Sequence, residues 1–129
     1  MPHIIPLRKY YSNHMELLRL PYFWEDDTEM NHPNSSFLMD DPKYHVPGLK
    51  IFNFHPIHIV LNSKEMDPYN RLKEKINVKN CSLEELEQFR NASSVGTGSM
   101  FEELIKQIIR TDEKRGSTIS EYAMKWNLM

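Results

Sequence analysis

One stretch of this sequence limits the folds that the chain can adopt. Residues 49–62 form its longest apolar, aromatic and β-branched run, and Pro47-Gly48 precedes them. Because the apolar side chains follow one another almost without interruption, the run is typical of a strand buried on both faces. Pro56 has no amide hydrogen to donate to a sheet, so the strand is predicted to end at about His55. A histidine is thus expected where a buried strand gives way to a loop, the usual position of catalytic groups in α/β folds.

The rest of the chain divides into two chemically different halves. All six histidines lie in the first 58 residues, whereas the sequence from Lys64 onward has none. The second half instead carries four helix-start signals, at Asp67-Pro68, Ser82, Ser99 and Thr118. The last three have a glutamate three residues later, which is the pattern of a capping box. We therefore predict one domain in which a strand-and-loop half, residues 1–62, carries the site and a helical half, residues 63–129, follows.

The strand content of the first half is low. Besides the run that ends at about His55, only residues 16–20 have a strand pattern, and Pro21 follows them. Residues 1–15 have no clear period and are predicted to be irregular, while residues 28–47 are rich enough in turn residues to form a long loop. Two strands do not make an independently stable sheet. Either the N-terminal residues pair in a way that the pattern does not reveal, or the chain is part of a larger domain.

One predicted helix has a long apolar stripe that begins just after a glycine-containing turn. Gly96-Thr97-Gly98 lacks the Gly-Lys-Ser/Thr ending of a phosphate loop and is predicted to be that turn. The stripe is expected to face the core because its members recur at helical spacing. The apolar face holds Phe101, Leu104, Ile105, Ile108 and Ile109, and the first four of these are predicted to be core.

Composition argues against several classes of function. The formal net charge is −2 and no basic block is present, so we expect no nucleic-acid partner. No apolar run approaches the ~20 residues of a membrane span, and the N-terminus lacks the apolar core of a signal peptide. Cys81 is the single cysteine and cannot form an internal disulfide, so a reducing cytoplasm is the predicted location.

Two histidines near the predicted strand end are candidates for chemistry. His55 could bond a backbone carbonyl, or it could act as a general acid, since an imidazole near neutral pKa can donate a proton to a leaving amine or alkoxide. His58 follows at His-x-x-His spacing, which would put the two rings on opposite faces of a strand. The two could share a metal only if Pro56 turns the chain. His58 is therefore predicted to be a loop histidine near the same site.

An aromatic and acidic segment follows the first predicted strand. Tyr22-Phe23-Trp24 leads directly into Glu25-Asp26-Asp27. Three adjacent acids can form a solvated loop or hold a cation. Aromatic rings beside carboxylates also suit carbohydrate, because rings offer a stacking surface and carboxylates accept hydrogen bonds from hydroxyl groups. The candidate substrate-binding residues are Tyr22, Trp24, Glu25, Asp26, Asp27 and His58, and no residue is predicted as a metal ligand.

These segments together resemble a known family. The resemblance is carried by two segments. The first is Arg19-Leu20-Pro21-Tyr22 with the aromatic and acidic residues 23–27, and the second is Phe54-His55-Pro56-Ile57-His58 with the apolar residues after it. In this order they look like the C-terminal half of a polysaccharide deacetylase domain. The domain is of NodB type, in its WbmS-like branch, and Gly96-Thr97-Gly98 before a Phe-Glu-Glu-Leu helix resembles the end of that branch. The resemblance covers about residues 16–110. It implies an α/β fold, the C-terminal portion of a distorted (β/α) barrel with few parallel strands and about four helices.

The resemblance also implies roles for particular residues. In the family an Arg-x-Pro-Tyr segment lines one wall of the active site, and its arginine orients the catalytic base, which would be Arg19 here, with Pro21 and Tyr22 shaping the groove. A histidine that ends a late strand is the general acid and corresponds to His55. The family's divalent, zinc-like metal is held by an aspartate and by two histidines spaced His-x-x-x-His in the N-terminal half. This sequence contains no His-x-x-x-His and no upstream Asp-Asp strand motif.

A truncated or split deacetylase is the function that these roles imply. With its missing N-terminal half supplied, it would catalyse metal-dependent hydrolysis of acetyl groups on a sugar of a surface polysaccharide, and alone it would be inactive. Its expected partners are a carbohydrate substrate and either a separate N-terminal half or another copy of the chain, with no membrane. One alternative is a noncatalytic carbohydrate-binding or assembly protein that retains the aromatic and acidic groove. Another is a small protein that completes the sheet of a partner.

Overall fold

The computed structural model describes residues 8–12, 15–110, 116 and 118–128. Over these residues the chain has a mixed α/β architecture with few parallel strands and several helices. Its elements, numbered in chain order, are β1 Arg8–Ser12, β2 Met15–Arg19, β3 Trp24–Glu25, α1 Asp26–Glu29, β4 Phe52–Asn53, α2 Pro56–Leu61, α3 Asp67–Lys75, α4 Leu83–Glu87, α5 Thr97–Arg110 and α6 Ile119–Leu128. Single turns of 3-10 helix lie at Pro42–Tyr44 and Val78–Asn80.

β1 and β2 form an antiparallel hairpin. Its register places Arg8 opposite Arg19 and Ser12 opposite Met15. The strand predicted at about residues 16–20 is confirmed, but the prediction of irregular structure is wrong for Arg8–Ser12. A hairpin strand satisfies its backbone groups by pairing with its neighbour, so it needs no apolar period of its own. The remainder of the predicted irregular segment, residues 1–7 and 13–14, lies outside the described residues.

β3 and β4 form a separate parallel pair, with Trp24 opposite Phe52. The strand predicted to run from residue 49 to about His55 is wrong in its length, because β4 has only two residues, and α2 begins at Pro56. A proline suits the first turn of a helix, where its missing amide hydrogen would have no intrahelical acceptor. Periodicity does not distinguish a short buried helix from a buried strand, and here the second half of the apolar run is helical.

The four helices predicted in the second half are present as α3 to α6. The capping boxes opened by Ser82 and Thr118 are confirmed, each with both reciprocal hydrogen bonds. The capping box predicted at Ser99 is wrong, because α5 starts at Thr97 and the hydroxyl of Ser99 bonds to the backbone of Gly96. Within the described ranges, no helix is long and apolar enough to cross a membrane.

The hydrophobic core packs against the parallel strand pair. The ring of Trp24 lies 4.9 Å from that of Phe54 and 5.9 Å from that of Phe52, measured between centroids. The loop between α1 and β4 is long, as predicted, but it folds over these rings and adds buried side chains to the core. The buried core residues are Trp24, Phe37, Met39, Tyr44 and Met100.

α5 covers the core with only part of its apolar stripe. Met100 is buried, and the ring of Phe101 meets Phe54 edge to face at 5.1 Å. Ile105 is 40% exposed and Ile108 is 39% exposed, so the prediction that these two residues are core is wrong, and Ile109 on the same face is 76% exposed. Two parallel strands of two residues each are too small to cover a helix of 14 residues.

α2 and α5 are joined where one helix ends and the other begins. Asn62 closes α2 in the left-handed conformation, with φ 47° and ψ 46°. Its Oδ1 accepts a hydrogen bond from the backbone amide of Ser99 at 3.0 Å, so it serves α5 as an N-cap side chain would. A Cβ built on Gly98 would lie 2.5 Å from the carbonyl oxygen of Ile59, so only glycine allows this approach. The junction holds α2, and with it the histidines of that helix, against the longest helix of the fold.

Candidate active site

The carboxyl ends of β3 and β4 bring the main candidate residues together. Glu25 ends β3 and Asp26 opens α1, whereas His55 follows β4 and is the N-cap residue of α2. Parallel strands end at the same edge of a sheet, so the residues that follow them become neighbours. Asp26 and His55 are separated by 29 positions in the sequence and are in direct contact.

Asp26 binds both the ring and the backbone of His55. Its Oδ1 lies 2.6 Å from the ring Nδ1, and its Oδ2 accepts the backbone amide hydrogen of His55 at 2.7 Å. Asp26 is fully buried and also accepts the amide of Asp27 at 2.8 Å. An ionised carboxylate only accepts hydrogen bonds, so the ring donates from Nδ1. Nε2 is therefore the nitrogen of His55 that is available for chemistry.

The electrostatic environment favours the protonated form of His55. Its hydrogen bond with Asp26 raises the pKa of His55, and the nearby charges of Asp26, Asp27 and Glu25 add to this effect, which exceeds the opposing effect of partial burial. The side chain is 41% exposed, so it remains accessible. A partly exposed imidazole with a raised pKa and a fixed tautomer is suited to hold a proton at neutral pH and to donate it.

His58 occupies a different environment from the one predicted. It lies within α2 and is buried, so the prediction of a loop histidine at the mouth of the site is wrong. Its Nδ1 lies 3.0 Å from the hydroxyl of Ser63, and its ring packs edge to face on Tyr69 at 5.1 Å. Burial lowers the pKa of His58. The ring centroids of His55 and His58 are 6.0 Å apart, so the buried ring of His58 packs edge to face against the ring of His55.

Glu25 and Asp27 surround His55 on the exposed side. Glu25, Asp27 and His55 each offer a ligand atom, and these atoms lie within 4.8 Å of one another. Partial desolvation and the neighbouring carboxylate of Asp27 raise the pKa of Glu25. Two carboxylates and an imidazole form a donor set that fits a divalent metal ion, although none of the three was predicted as a ligand. Since Asp26 occupies Nδ1, a metal ion there would need Nε2, the atom that a general acid uses.

The remaining site residues predicted from the sequence differ in how exposed they are. Tyr22 is 56% exposed, so its ring is accessible. Trp24 is buried in the core, and Asp26 has no exposed surface, so their predicted direct contact with substrate is wrong. Strand alternation turns Trp24 inward, and the first turn of α1 does the same for Asp26. Arg19 ends β2, but its side chain lies outside what the structure describes, so its role stays a prediction.

A second buried carboxylate, Glu29, holds the long loop against α1. Its Oε1 accepts hydrogen bonds from Lys43 Nζ at 2.5 Å, Ser35 Oγ at 2.6 Å and Tyr44 Oη at 3.1 Å. Three donors from the loop thus converge on the helix that carries Asp26. Sequence reasoning missed this cluster because Lys43 and Tyr44 are 14 and 15 positions from Glu29, and it missed Ser63 because no sequence motif pairs a serine with a histidine five residues before it.

Comparison with known proteins identifies the family of this chain. The model of the WbmS-like polysaccharide deacetylase family matches residues 1–73. The chain therefore belongs to this family, as the resemblance of its motifs indicated. None of the curated proteins matches the sequence.

One solved structure extends the similarity to the helical half. It is the crystal structure of a candidate polysaccharide deacetylase involved in O-antigen biosynthesis, WbmS from Bordetella bronchiseptica. The two chains are 26% identical and superpose with a TM-score of 0.60 over 82% of this chain. The chain spans 42% of the length of that structure. The fold described above is thus shared with part of a larger deacetylase-like protein.

Proposed function

We propose that this chain supplies the proton-donating side of a carbohydrate deacetylase site. The observation that carries the proposal is the contact between buried Asp26 and partly exposed His55 at the carboxyl ends of two parallel strands. The substrate class comes from the family, whose members are polysaccharide deacetylases. The resemblance assigns the same histidine as the general acid.

The chemistry of His55 follows from its hydrogen bonds. Asp26 accepts the Nδ1 hydrogen and fixes the ring, so a second proton resides on Nε2 when the imidazole is charged. As the bond between acetyl carbon and leaving group breaks, the amine or alkoxide gains negative charge and takes that proton. Asp26 keeps its own charge and stabilises the imidazolium before transfer. A positioned general acid of this kind contributes about 10²–10⁴-fold to a rate.

The deacetylase family is generally metal-dependent. When bound, a divalent metal ion polarises the acetyl carbonyl as a Lewis acid. We place that ion on ligands contributed by another polypeptide segment, because this sequence lacks the aspartate and His-x-x-x-His of the family. In this arrangement Nε2 of His55 stays free for the proton, and Glu25 and Asp27 line the site beside it.

The surface of the chain supports a requirement for further polypeptide. The sheet formed by β3 and β4 has two strands of two residues each, too few to be stable without additional pairing or packing. The two longest described helices, α5 and α6, each carry strongly exposed apolar side chains, and exposed apolar surface can mark an interaction site. We propose that a segment carrying the metal ligands packs here, whether from a separate N-terminal half or from another copy of the chain. The exposed residues include Ile105, Ile109, Ile119 and Met124.

The proposal is tested by complementation. The coding DNA around this gene is read for an aspartate motif and a His-x-x-x-His, and the encoded segment is produced together with this chain. Release of acetate from acetylated oligosaccharides is then measured with Zn²⁺, Co²⁺ or Mn²⁺. We expect acetate release by the complex, none by this chain alone, and a loss of about 10²–10⁴-fold for His55→Ala.

The control is His45→Ala, which removes an exposed loop histidine whose Nε2 bonds the carbonyl of Met39. Its activity should equal that of the native complex. Equal activity of His55→Ala and His45→Ala would contradict the proposal.

A noncatalytic carbohydrate-binding function is the second candidate. It is favoured by the exposed ring of Tyr22 close in sequence to the carboxylates of Glu25 and Asp27. In that case oligosaccharide would bind this chain, Tyr22→Ala would weaken binding, and no metal ion or added segment would produce acetate.

A further inference from the structure

A wide cleft lies at the other end of the two short helices that carry the site. Asp26 and His55 stand at the N-terminal ends of α1 and α2. Met30, which closes α1, and Lys64, which follows α2, both line the cleft. Its volume is about 700 Å³, within the range of ligand-binding clefts. The six residues of α2 separate it from His55 by roughly 9 Å at 1.5 Å per residue.

The charged side chains that line this cleft are mainly cationic. Lys64, Arg71, Lys75 and Arg90 contribute four positive charges, and Glu65 contributes the single carboxylate among its lining residues. The whole chain has a net charge of −2, so this positive charge is local and does not follow from composition. Arg71 also meets Asp67 at 3.5 Å, with both side chains more than half exposed, and such an exposed pair holds the arginine only weakly.

The rest of the lining is suited to a sugar. Phe89 is half-buried, and Pro33 and Pro68 provide further apolar surface. Flat apolar groups pack against the C–H faces of a sugar ring, and polar groups at the edge fix its orientation. Gln88 is among the lining residues, and its amide is a donor and acceptor for hydroxyl groups. The cleft thus offers apolar surface for the ring of an acidic sugar and guanidinium and ammonium groups for its negative charge.

We infer that this cleft binds an oxyanion-bearing carbohydrate, in which a carboxylate or phosphate group on the sugar meets the guanidinium of Arg71 and the ammonium of Lys75. Arginine forms paired hydrogen bonds with planar carboxylates and with phosphates, and lysine adds a point charge. The carbohydrate part of the inference rests on the proposed function, whereas the requirement for an anion rests on the charges of the cleft alone. The cleft would select acidic saccharides and orient them toward the acetyl-removing site.

The experiment measures binding to this chain by calorimetry at low salt. The ligands are an oligouronate, a sugar phosphate, a neutral N-acetylated oligosaccharide, inorganic phosphate and single-stranded DNA. The test variant is Arg71→Gln with Lys75→Gln, two positions one turn apart on α3. The matched control is Lys106→Gln with Arg110→Gln, which has the same spacing on α5 and the same change in net charge but lies outside the cleft lining.

The inference predicts that the oligouronate or the sugar phosphate binds more tightly than the neutral oligosaccharide, and the tighter of the two identifies the oxyanion. The test variant should weaken that binding by about tenfold or more, since it removes two charge-assisted contacts, and the control should leave it unchanged. Equal loss in the control would overturn the inference, because net charge alone would then explain binding. Inorganic phosphate as tight as the sugar phosphate, or DNA as tight as the best saccharide, would overturn the carbohydrate assignment.

The two proposals fail in different ways. If no acidic saccharide binds while the complemented complex still requires His55 for acetate release, the inference is wrong and the proposed function stands. If an acidic saccharide binds through Arg71 and Lys75 but the complex releases no acetate, the inference stands and the deacetylase function is wrong.

Discussion

Asp26 contacts His55 through both of its carboxylate oxygens, one on the ring nitrogen Nδ1 and one on the backbone amide. A single buried carboxylate therefore fixes both where the chain leaves β4 and how the imidazole is oriented. Because a buried polar group without partners is costly, these hydrogen bonds also satisfy the oxygens of Asp26, which has no exposed surface. Site geometry and local fold are thus set by the same contact.

The first prediction concerns the protonation of His55. Replacing Asp26 with asparagine removes the negative charge and one of the two acceptor oxygens, so the pKa of His55 should fall toward or below its ordinary value of 6.5. An NMR titration of the imidazole resonances measures this pKa. Asp67→Asn, which alters an exposed carboxylate on α3, is the control and should leave the titration of His55 unchanged. An unchanged pKa in Asp26→Asn would show that Asp26 does not control the proton of His55.

The sequence predicted this site only in part. His55 and the acidic segment were both recognised, because each follows an apolar run and the two occur together in the family. Which of three adjacent acids is buried could not be read from the order Glu25-Asp26-Asp27. That choice depends on the turn of α1, which directs Asp26 toward His55 and leaves its neighbours on the exposed side.

The fold was predictable where the signals are local. The reciprocal bonds of the capping boxes at Ser82 and Thr118 involve residues three apart, so the sequence contains the whole interaction. α2 was missed because an apolar run satisfies a buried helix and a buried strand equally well. The partial exposure of α5 was missed for another reason: helical spacing identifies an apolar face, but it does not reveal how much neighbouring structure covers that face.

A second prediction concerns Glu29, the buried carboxylate that joins α1 to the long loop. Burial alone would raise the pKa of Glu29, but hydrogen bonds from Lys43, Ser35 and Tyr44 and the charge of Lys43 lower it overall from 4.5. Tyr44 remains a neutral donor, since burial and the charge of Glu29 raise its pKa to about 12. Glu29→Gln should lower the free energy of unfolding at neutral pH by about 1–3 kcal/mol, because the ammonium group of Lys43 loses its charged acceptor and the hydroxyl donors are left incompletely paired.

The stabilisation by Glu29 should depend on pH with a definite sign. A lowered folded-state pKa means that the contribution is complete above the unfolded value and is lost as pH falls through the folded value. The difference between native protein and Glu29→Gln should therefore shrink in acid. Urea unfolding followed by tryptophan fluorescence, to which buried Trp24 contributes, measures it, and the exposed Glu102→Gln on α5 is the control. A difference that stays constant into acid would contradict the ionised role of Glu29.

A third prediction concerns metal ions at the exposed side of His55. The ligand atoms of Glu25, Asp27 and His55 are close enough to share one cation, so added Zn²⁺ should bind this chain once. Asp27→Asn should weaken that binding by about tenfold or more, as loss of a carboxylate near a metal does, whereas Asp67→Asn should not. Calorimetry measures the affinity. Zn²⁺ binding that stays equally tight in Asp27→Asn would contradict the assignment. Because the bound ion would need Nε2 of His55, excess Zn²⁺ should also inhibit the complemented enzyme.

The last prediction tests the junction that carries α2. Gly98 lies so close to Ile59 that an added Cβ would sit 2.5 Å from its carbonyl oxygen. That oxygen is backbone and cannot rotate away, so Gly98→Ala must separate α2 from α5 and should destabilise the fold by about 1–3 kcal/mol. Gly116→Ala is the matched control, because a Cβ there meets nothing within 4 Å. Denaturant unfolding compares the two variants. Since α2 begins next to His55, Gly98→Ala should also shift the imidazole resonances of His55, and equal stability and spectra in the two variants would show that the junction does not position the site.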